Sequence, residues 1–191
     1  METEMPTKAD EILRVGQALI QTQGYDGFSF RDVADAVGIK SASVHYHYPS
    51  KADLALAVAE SYRHQFLGLL AEIDDRGLPP FERLVAYVEL FRHTLGADQM
   101  CLCGMLASEA STLPNKVRNE VDGFFEDQHH WVAHVIGAGI DEGAVAEAID
   151  PPRFAHAFVS GLEGALMIAR SIDDAGHFDG VADQLLQLIR S

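Results

Sequence analysis

Positive charge is scarce in this chain. Fourteen Lys and Arg stand against 29 Asp and Glu, a net charge of −15 with histidine neutral. Taken alone, that balance argues against nucleic acid, because a phosphate backbone must meet local positive charge. Cysteine is scarcer: there are two, Cys101 and Cys103, one residue apart. Neighbours that close rarely form a structural disulfide, and they fit a reducing compartment. No apolar run approaches the roughly 18–20 residues that span a bilayer. The opening METEMPTKAD has neither the basic flank nor the apolar stretch of a secretory leader. A cytoplasmic protein without membrane association is therefore expected. Gly-rich phosphate loops, nucleophile elbows and HExxH patterns are missing, which removes the common catalytic motifs. Internal repeats and low-complexity tracts are missing too.

What is there is globular material. Hydrophobic residues make up 48% of 191, enough for a core and too many for a disordered chain. That length allows one domain, or a small one fused to a larger one. The acid is uneven: residues 1–51 sum to −2 and the remaining 140 to −13. In the nearly neutral part, Lys40 and Lys51 bracket KSASVHYHYPSK, a segment crowded with hydrogen-bonding side chains.

Apolar residues recur at helical spacing almost throughout, and strand-like alternation is scarce, so an all-α fold is expected. Ile12, Val15, Leu19 and Ile20 make one face of a helix from about Lys8 to Gln23, which Gly24 ends. Ser29 is placed to cap a second, short helix, RDVADAV, with Val33 and Val37 inward and Gly38 at its end. SASVHYHY reads as a third short helix stopped by Pro49. Ser50 caps a long fourth helix from Lys51 to about Ile73. Further helices are expected over about Phe81–Leu95, Cys101–Leu113, Pro114–Glu142, Pro152–Ser171 and Val181–Arg190, about nine in all. DDRGLPP reads as a linker and IDDAGHFDG as a loop.

Two short helices joined by a tight turn, at about residues 30–48, make a helix-turn-helix candidate. In that motif the second helix enters the major groove. Here it would carry Ser41, Ala42, Ser43, His45, Tyr46 and His47 outward, with Val44 inward. A short helix of small and polar side chains suits close approach to DNA; a core helix of this length would be more apolar. Ser29 and the helix start behind it can offer N–H groups to a phosphate. Tyr46, His47 and Lys51 can reach the backbone, Ser43 and Tyr46 bases or backbone, and Lys40 a guanine or a phosphate. Helix-turn-helix shapes also occur in helical proteins that never touch DNA, and spacing by itself leaves both readings open.

GFSFRDVADAVGIKSASVHYHYPSKADL, residues 27–54, resembles the N-terminal region of the TetR/AcrR family of transcriptional regulators. The carriers are the Ser29 cap, the Val33-Ala34 pair, the Gly38-Ile39 turn, the aromatic-rich recognition helix and the Pro49-Ser50-Lys51 step. The likeness is specific over roughly residues 8–60 and architectural beyond. It implies an N-terminal DNA-binding domain at 1–52, and an effector-binding and dimerisation domain at 53–191. It further implies a homodimer, a near-palindromic double-stranded operator, and release by a small-molecule effector: a regulator, a repressor, and not an enzyme. Lys40 stands where the family has a Ser or Thr cap, His45 where Tyr is frequent, and Tyr48 where Phe is. The two histidines His45 and His47 suggest some pH sensitivity.

The resemblance also implies that the last two long helices dimerise as a four-helix bundle. FAHAFVSGLEGALMIARS fits, with Ala155, Ala157, Gly161, Gly164 and Ala165 permitting close approach. Val181, Leu185, Leu188 and Ile189 would face it from the final helix. An internal core helix is the competing reading. Phe66, Leu70, Phe91, Cys101, Met105, Phe124, Trp131, His134 and Phe158 are the candidate lining of a mostly apolar pocket. Three readings compete for CLCGMLASEAS. The cysteines are small buried hydrophobes, or a thiol sensor of oxidants or electrophiles, or metal ligands with His129, His130 and His134. Glu126 and His129 form one Glu-x-x-His pair of the kind di-metal bundle enzymes use twice, with no second pair. No cofactor or metal is expected.

Overall fold

A computed structural model describes residues 7–97 and 99–190. Nine helices occupy them: α1 (Lys8–Gln23), α2 (Phe30–Val37), α3 (Ser41–His47), α4 (Lys51–Asp75), α5 (Pro80–Gly96), α6 (Leu102–Ser108), α7 (Asn115–Asp141), α8 (Pro151–Ile172) and α9 (Ala175–Ile189). Among the described residues the only β pairing is an isolated antiparallel bridge, Val145 with Arg190. No described helix is long and apolar enough to cross a membrane.

Local chemistry sets the helix ends. Thr7 and Asp10 close a capping box on α1, and Ser29 and Asp32 close another on α2. Each box satisfies two first-turn donors that the helix itself cannot. Ser50 Oγ accepts the Asp53 N–H at 3.2 Å at the start of α4. Gly38 ends α2 at φ +73°, a left-handed conformation that glycine adopts without penalty. Asp150 followed by Pro151 starts α8, and a proline at the first helical position gives up only an N–H that had no partner.

The chain divides into two compact units. Of the described residues, one takes in those up to His64 together with Leu102–Asp122; the other holds those of Gln65–Cys101 and those from Gly123 to Arg190. A single cut near residue 52 does not describe this division. The reason lies in the packing of α6 on α1, which brings residues 102–122 back to the N-terminal helices. The core of that first unit is Ile12, Ile20, Phe28, Val33, Val44, Leu54 and Val58, all fully or almost fully buried. A Cβ on Gly16 would sit 3.3 Å from both Leu54 and Val58, so α1 crosses the start of α4 closely.

In the second unit the core is aromatic: Tyr87, Phe124, Phe158 and Phe178 are its largest fully buried side chains. Helices α8 and α9 pack side by side. A Cβ on Gly161 would lie 2.9 Å from Leu185.

Three expectations are corrected. The loop IDDAGHFDG is in large part the first turns of α9: Asp174 accepts the Gly176 N–H at 2.9 Å, and Phe178 is fully buried. Burying that ring outweighs the helix cost of two glycines. The segment 101–113 is helical only to Ser108. Of the five small residues assigned to a dimer face, Ala155 and Ala165 are buried in the chain's own core and Gly161 admits Leu185. Ile189 is likewise fully buried.

Candidate nucleic-acid interface and interior polar cluster

Six of the seven residues of α3 are exposed, and Val44 is the buried one. The turn before it is fixed by Gly38 and by the Ile39 N–H, which donates to the Ala34 carbonyl at 3.0 Å. Lys40 occupies the cap position with no side-chain cap bond, which leaves its side chain uncommitted to the helix. Tyr46 is 84% exposed, its ring edge-on to His47 at 5.2 Å. Lys8, Ile39, Lys40, Ala42, Ser43, Tyr46 and His47 line a groove of about 370 Å³. Lys40, Ala42, Ser43, Tyr46 and His47 therefore share one accessible surface, and Ser41 is exposed at the start of α3. His45 is held at its edge: Nδ1 lies 3.3 Å from the Pro49 carbonyl, and Phe30 meets the ring at 4.7 Å. A carbonyl only accepts, so Nδ1 carries a proton there.

Two expected contacts sit differently. The Lys51 ammonium turns inward, donating to the Phe28 carbonyl at 2.5 Å. It also lies 4.7 and 4.5 Å from the ring centroids of Tyr25 and Phe28. Burial lowers its pKa, opposed by Asp26, Glu109 and Asp32. A phosphate must compete with these partners for it. Ser29 is exposed but committed: its Oγ donates to Asp32 at 2.7 Å, and its N–H donates to the same carboxylate. Those bonds hold the Asp32 carboxyl below its usual range and set a negative charge at the helix start meant for a phosphate. Two cations went unassigned in the sequence. Arg31 pairs with Asp35 only at 3.8 Å, and Lys8 lines the groove. Capping logic drew attention to Ser29, whereas nothing local marks an exposed Arg or Lys as facing a groove.

The turn between α1 and α2 is gripped from behind. The Glu109 carboxylate, just past α6, accepts the Tyr25 N–H at 2.5 Å and the Asp26 N–H at 3.2 Å. Thr112 Oγ1 donates to Asp26 at 2.9 Å. A Cβ on Gly24 would lie 2.8 Å from both Glu109 oxygens, and its φ of +78° is one that side chains rarely adopt. Lys116 pairs with Asp53, and Arg63 with Glu120 at 3.3 Å.

In the second unit an aromatic cluster centres on Tyr87, a residue the sequence reading passed over. Phe91, Trp131, Phe158 and Phe66 place their ring centroids 5.4, 5.5, 6.1 and 6.2 Å from it. Phe124 joins through Phe66 at 5.1 Å. Five of the nine proposed pocket residues, Phe66, Phe91, Phe124, Trp131 and Phe158, thus form one assembly. Leu70 and Cys101 are buried in the same unit. Met105 belongs to the other unit. His134 is exposed, a correction explained by its position on the outer face of α7. The trace of polar residues within this core was available: Glu163 is the one charged residue between Arg153 and Arg170. Burial raises its carboxyl to about 7, with the Cys101 thiol acting the other way. The Tyr87 hydroxyl donates to Gln128 Oε1 at 2.5 Å.

Among the described residues no group of three or more His, Cys, Asp or Glu is placed to hold a metal ion. His129 instead meets His156, ring centroids 4.2 Å apart, and burial lowers its pKa, with His156 and His130 adding to the effect.

Residues 12–58 match the family described as "Bacterial regulatory proteins, tetR family". Residues 66–185 match "Tetracyclin repressor-like, C-terminal domain". The chain belongs to the TetR family. A solved TetR-family transcriptional regulator from Agrobacterium tumefaciens is 33% identical, with a TM-score of 0.93 over 96% of this chain and 98% of that one. A TetR transcriptional regulator from Legionella pneumophila is 31% identical, TM-score 0.89, over 98% and 100%. Transcriptional regulator AcuR of Cereibacter sphaeroides is 27% identical over 163 residues, 83% of this chain and 74% of that protein. TetR-family proteins are DNA-binding regulators and not enzymes, and the all-α fold with its N-terminal helix-turn-helix is theirs.

Proposed function

We propose that this TetR-family chain is a cytoplasmic repressor that binds a near-palindromic operator as a homodimer and leaves it when a small, mostly apolar effector binds. The observation that carries the reading is the exposure of six of the seven α3 residues beside Lys8 and Lys40. Relatives named as repressors, DhaR of a Mycobacterium species among them, support the direction of control. In this reading Lys40, Ser41, Ala42, Ser43, Tyr46 and His47 face the major groove. His45 orients the helix, and Ser29 and Lys51 brace it, with Arg31 and Lys8 on phosphates.

Dimerisation is supported by an exposed stripe on α8 and α9. Ala157, Gly164, Met167, Ile168 and Ile172 recur at helical spacing on α8, all exposed but for the half-buried Gly164, and Leu188 lies 57% exposed on α9. A Cβ on Gly164 would meet nothing within 4 Å. Effector binding is supported by the aromatic cluster. An effector shifts operator occupancy only by its difference in affinity for the two forms. Both cysteines are buried, Cys103 fully, and a thiol shielded from solvent is a poor oxidant sensor. That favours a ligand over redox sensing.

The test is fluorescence anisotropy of the purified protein on duplexes flanking its own gene, over a salt series, against a scrambled duplex. A margin of at least about 10³ over the scrambled duplex is expected for one flank. Equal binding to both, together with no preferred site in a random-duplex selection, rejects the reading.

A further inference from the structure

Glu163 and Gln128 bring unanswered polar atoms into the interior of the second unit. Glu163 enters it from α8, 8% exposed, and its carboxylate oxygens meet no nitrogen or oxygen donor among the described residues, the Cys101 thiol alone acting on them as a donor. Gln128 enters from α7, fully buried; its Oε1 takes the Tyr87 hydroxyl and its Nε2 is unanswered. The groups that act on one another there are Tyr87, Cys101 and Glu163. All three are acids. No Lys, Arg or His acts on the Glu163 carboxyl among the described residues. The rings of Phe91, Trp131 and Phe158 are centred within 6.1 Å of the Tyr87 ring, with the Arg83 guanidinium 5.5 Å over that of Trp131.

A buried carboxylate whose polar company is a weak thiol donor is an unfavourable group to keep in an interior. A water molecule can answer Gln128, but it brings no charge to an ionised carboxylate. A cation answers both the charge and the rings, since aromatic faces attract ammonium groups. A nearby acceptor on the same molecule would occupy the amide donor of Gln128. We propose that Glu163, Gln128 and the rings around Tyr87 form an effector subsite for a small aromatic or apolar amine, its ammonium on Glu163 and an acceptor atom on Gln128 Nε2. This deepens the effector-binding reading above and rests on it.

The experiment uses the full chain and a matched set: 2-phenylethylamine and tyramine, 2-phenylethanol, and phenylacetate, read by calorimetry and thermal shift. The amines are expected to bind at least tenfold tighter than the alcohol, and phenylacetate not to bind. Glu163→Gln is expected to abolish the amine preference while keeping its helical spectrum and its operator affinity. Binding of the alcohol or the carboxylate as tight as that of the amines overturns the subsite. So does an amine preference that survives in Glu163→Gln, or no binding by any amine. The parent reading fails separately. A chain released from its operator by a non-amine compound keeps the parent reading and loses this subsite. A chain that takes amines through Glu163 but binds no operator does the reverse.

Discussion

At the scale of single residues, the side chains of the head separate into those that reach outward and those that brace. Tyr46 is 84% exposed, its ring edge-on to His47, so truncating it removes little from the fold. Lys51 is tied to the Phe28 carbonyl and two rings, so truncating it loosens the junction of α4 with the α1–α2 turn. Tyr46→Ala is expected to weaken operator binding by about 1–3 kcal/mol, the range for a specific base contact, with no change in melting temperature. Lys51→Ala is expected to lower stability by about 1–2 kcal/mol, from a charge-assisted hydrogen bond and a partly exposed cation–π contact, and to weaken DNA binding through that loss. Paired melting and anisotropy data on both variants check this; equal melting temperatures would show that Lys51 braces nothing. Glu163 makes a pH prediction. Its carboxyl titrates near 7 folded against 4.5 unfolded. Below about pH 4.5 both states hold the proton and nothing is lost. Between there and about 7 the unfolded chain releases it first, and stability falls by about 1.4 kcal/mol per pH unit. Above that window the deficit is complete, on the order of 3 kcal/mol. Glu163→Gln lacks the titration. It is therefore expected to be more stable than the parent at pH 8 and to converge with it near pH 4.5, as denaturant melts across that range would show.

At the scale of elements, the sequence was readable wherever local chemistry decides the outcome. Ser29, Gly38, Pro49 and Ser50 mark helix ends that their own side chains or backbones enforce, and α2 to α4 stand where those residues put them. Val44 was legible as the inward residue of α3 because every neighbour on that helix is small or polar. The rest depended on tertiary partners. Nothing within AGHFDG announces a helix; the burial of Phe178 makes it one. The grip of Glu109 on the turn 83 residues before it was invisible for the same reason, as was the meeting of Tyr87 with Gln128. That grip has a consequence for α6. Glu109, just past its C-terminal end, holds the backbone of the turn that leads into α2. Replacing Glu109 by Ala leaves the Tyr25 and Asp26 N–H groups without their acceptor, a loss of about 1.5–3 kcal/mol for a charged hydrogen bond. Operator affinity is expected to fall severalfold while the α3 side chains are untouched. Amide exchange at Tyr25 and Asp26 should quicken well before that of the α1 core, and unchanged exchange at both would assign Glu109 no such role.

At the scale of the whole molecule, a net charge of −15 and binding to a polyanion are reconciled by placing few cations where they count. Lys8 and Lys40 line the groove along α3, and Arg31 lies exposed in the first turn of α2. Most of the acid lies after residue 51. In the proposed dimer, general attraction to DNA is weak and affinity is expected to come from two heads engaged at once. Half-sites on one duplex convert the second contact into an intramolecular one, so affinity rises far beyond that of a single head. The salt dependence reports how many heads are engaged. Two heads with three cations each neutralise about six phosphates, which gives a slope of log K on log salt near −5. Ile168→Glu with Leu188→Glu puts like charge on the exposed stripe of α8 and α9 and is expected to give a folded monomer by sedimentation. That monomer should bind the operator at least 10²-fold more weakly, with a slope near half the parent's. A double variant that stays dimeric would remove the stripe as the interface. A monomer that keeps the parent's slope would show that one head makes all the phosphate contacts, and the charge economy argued from Lys8, Arg31 and Lys40 would fail with it.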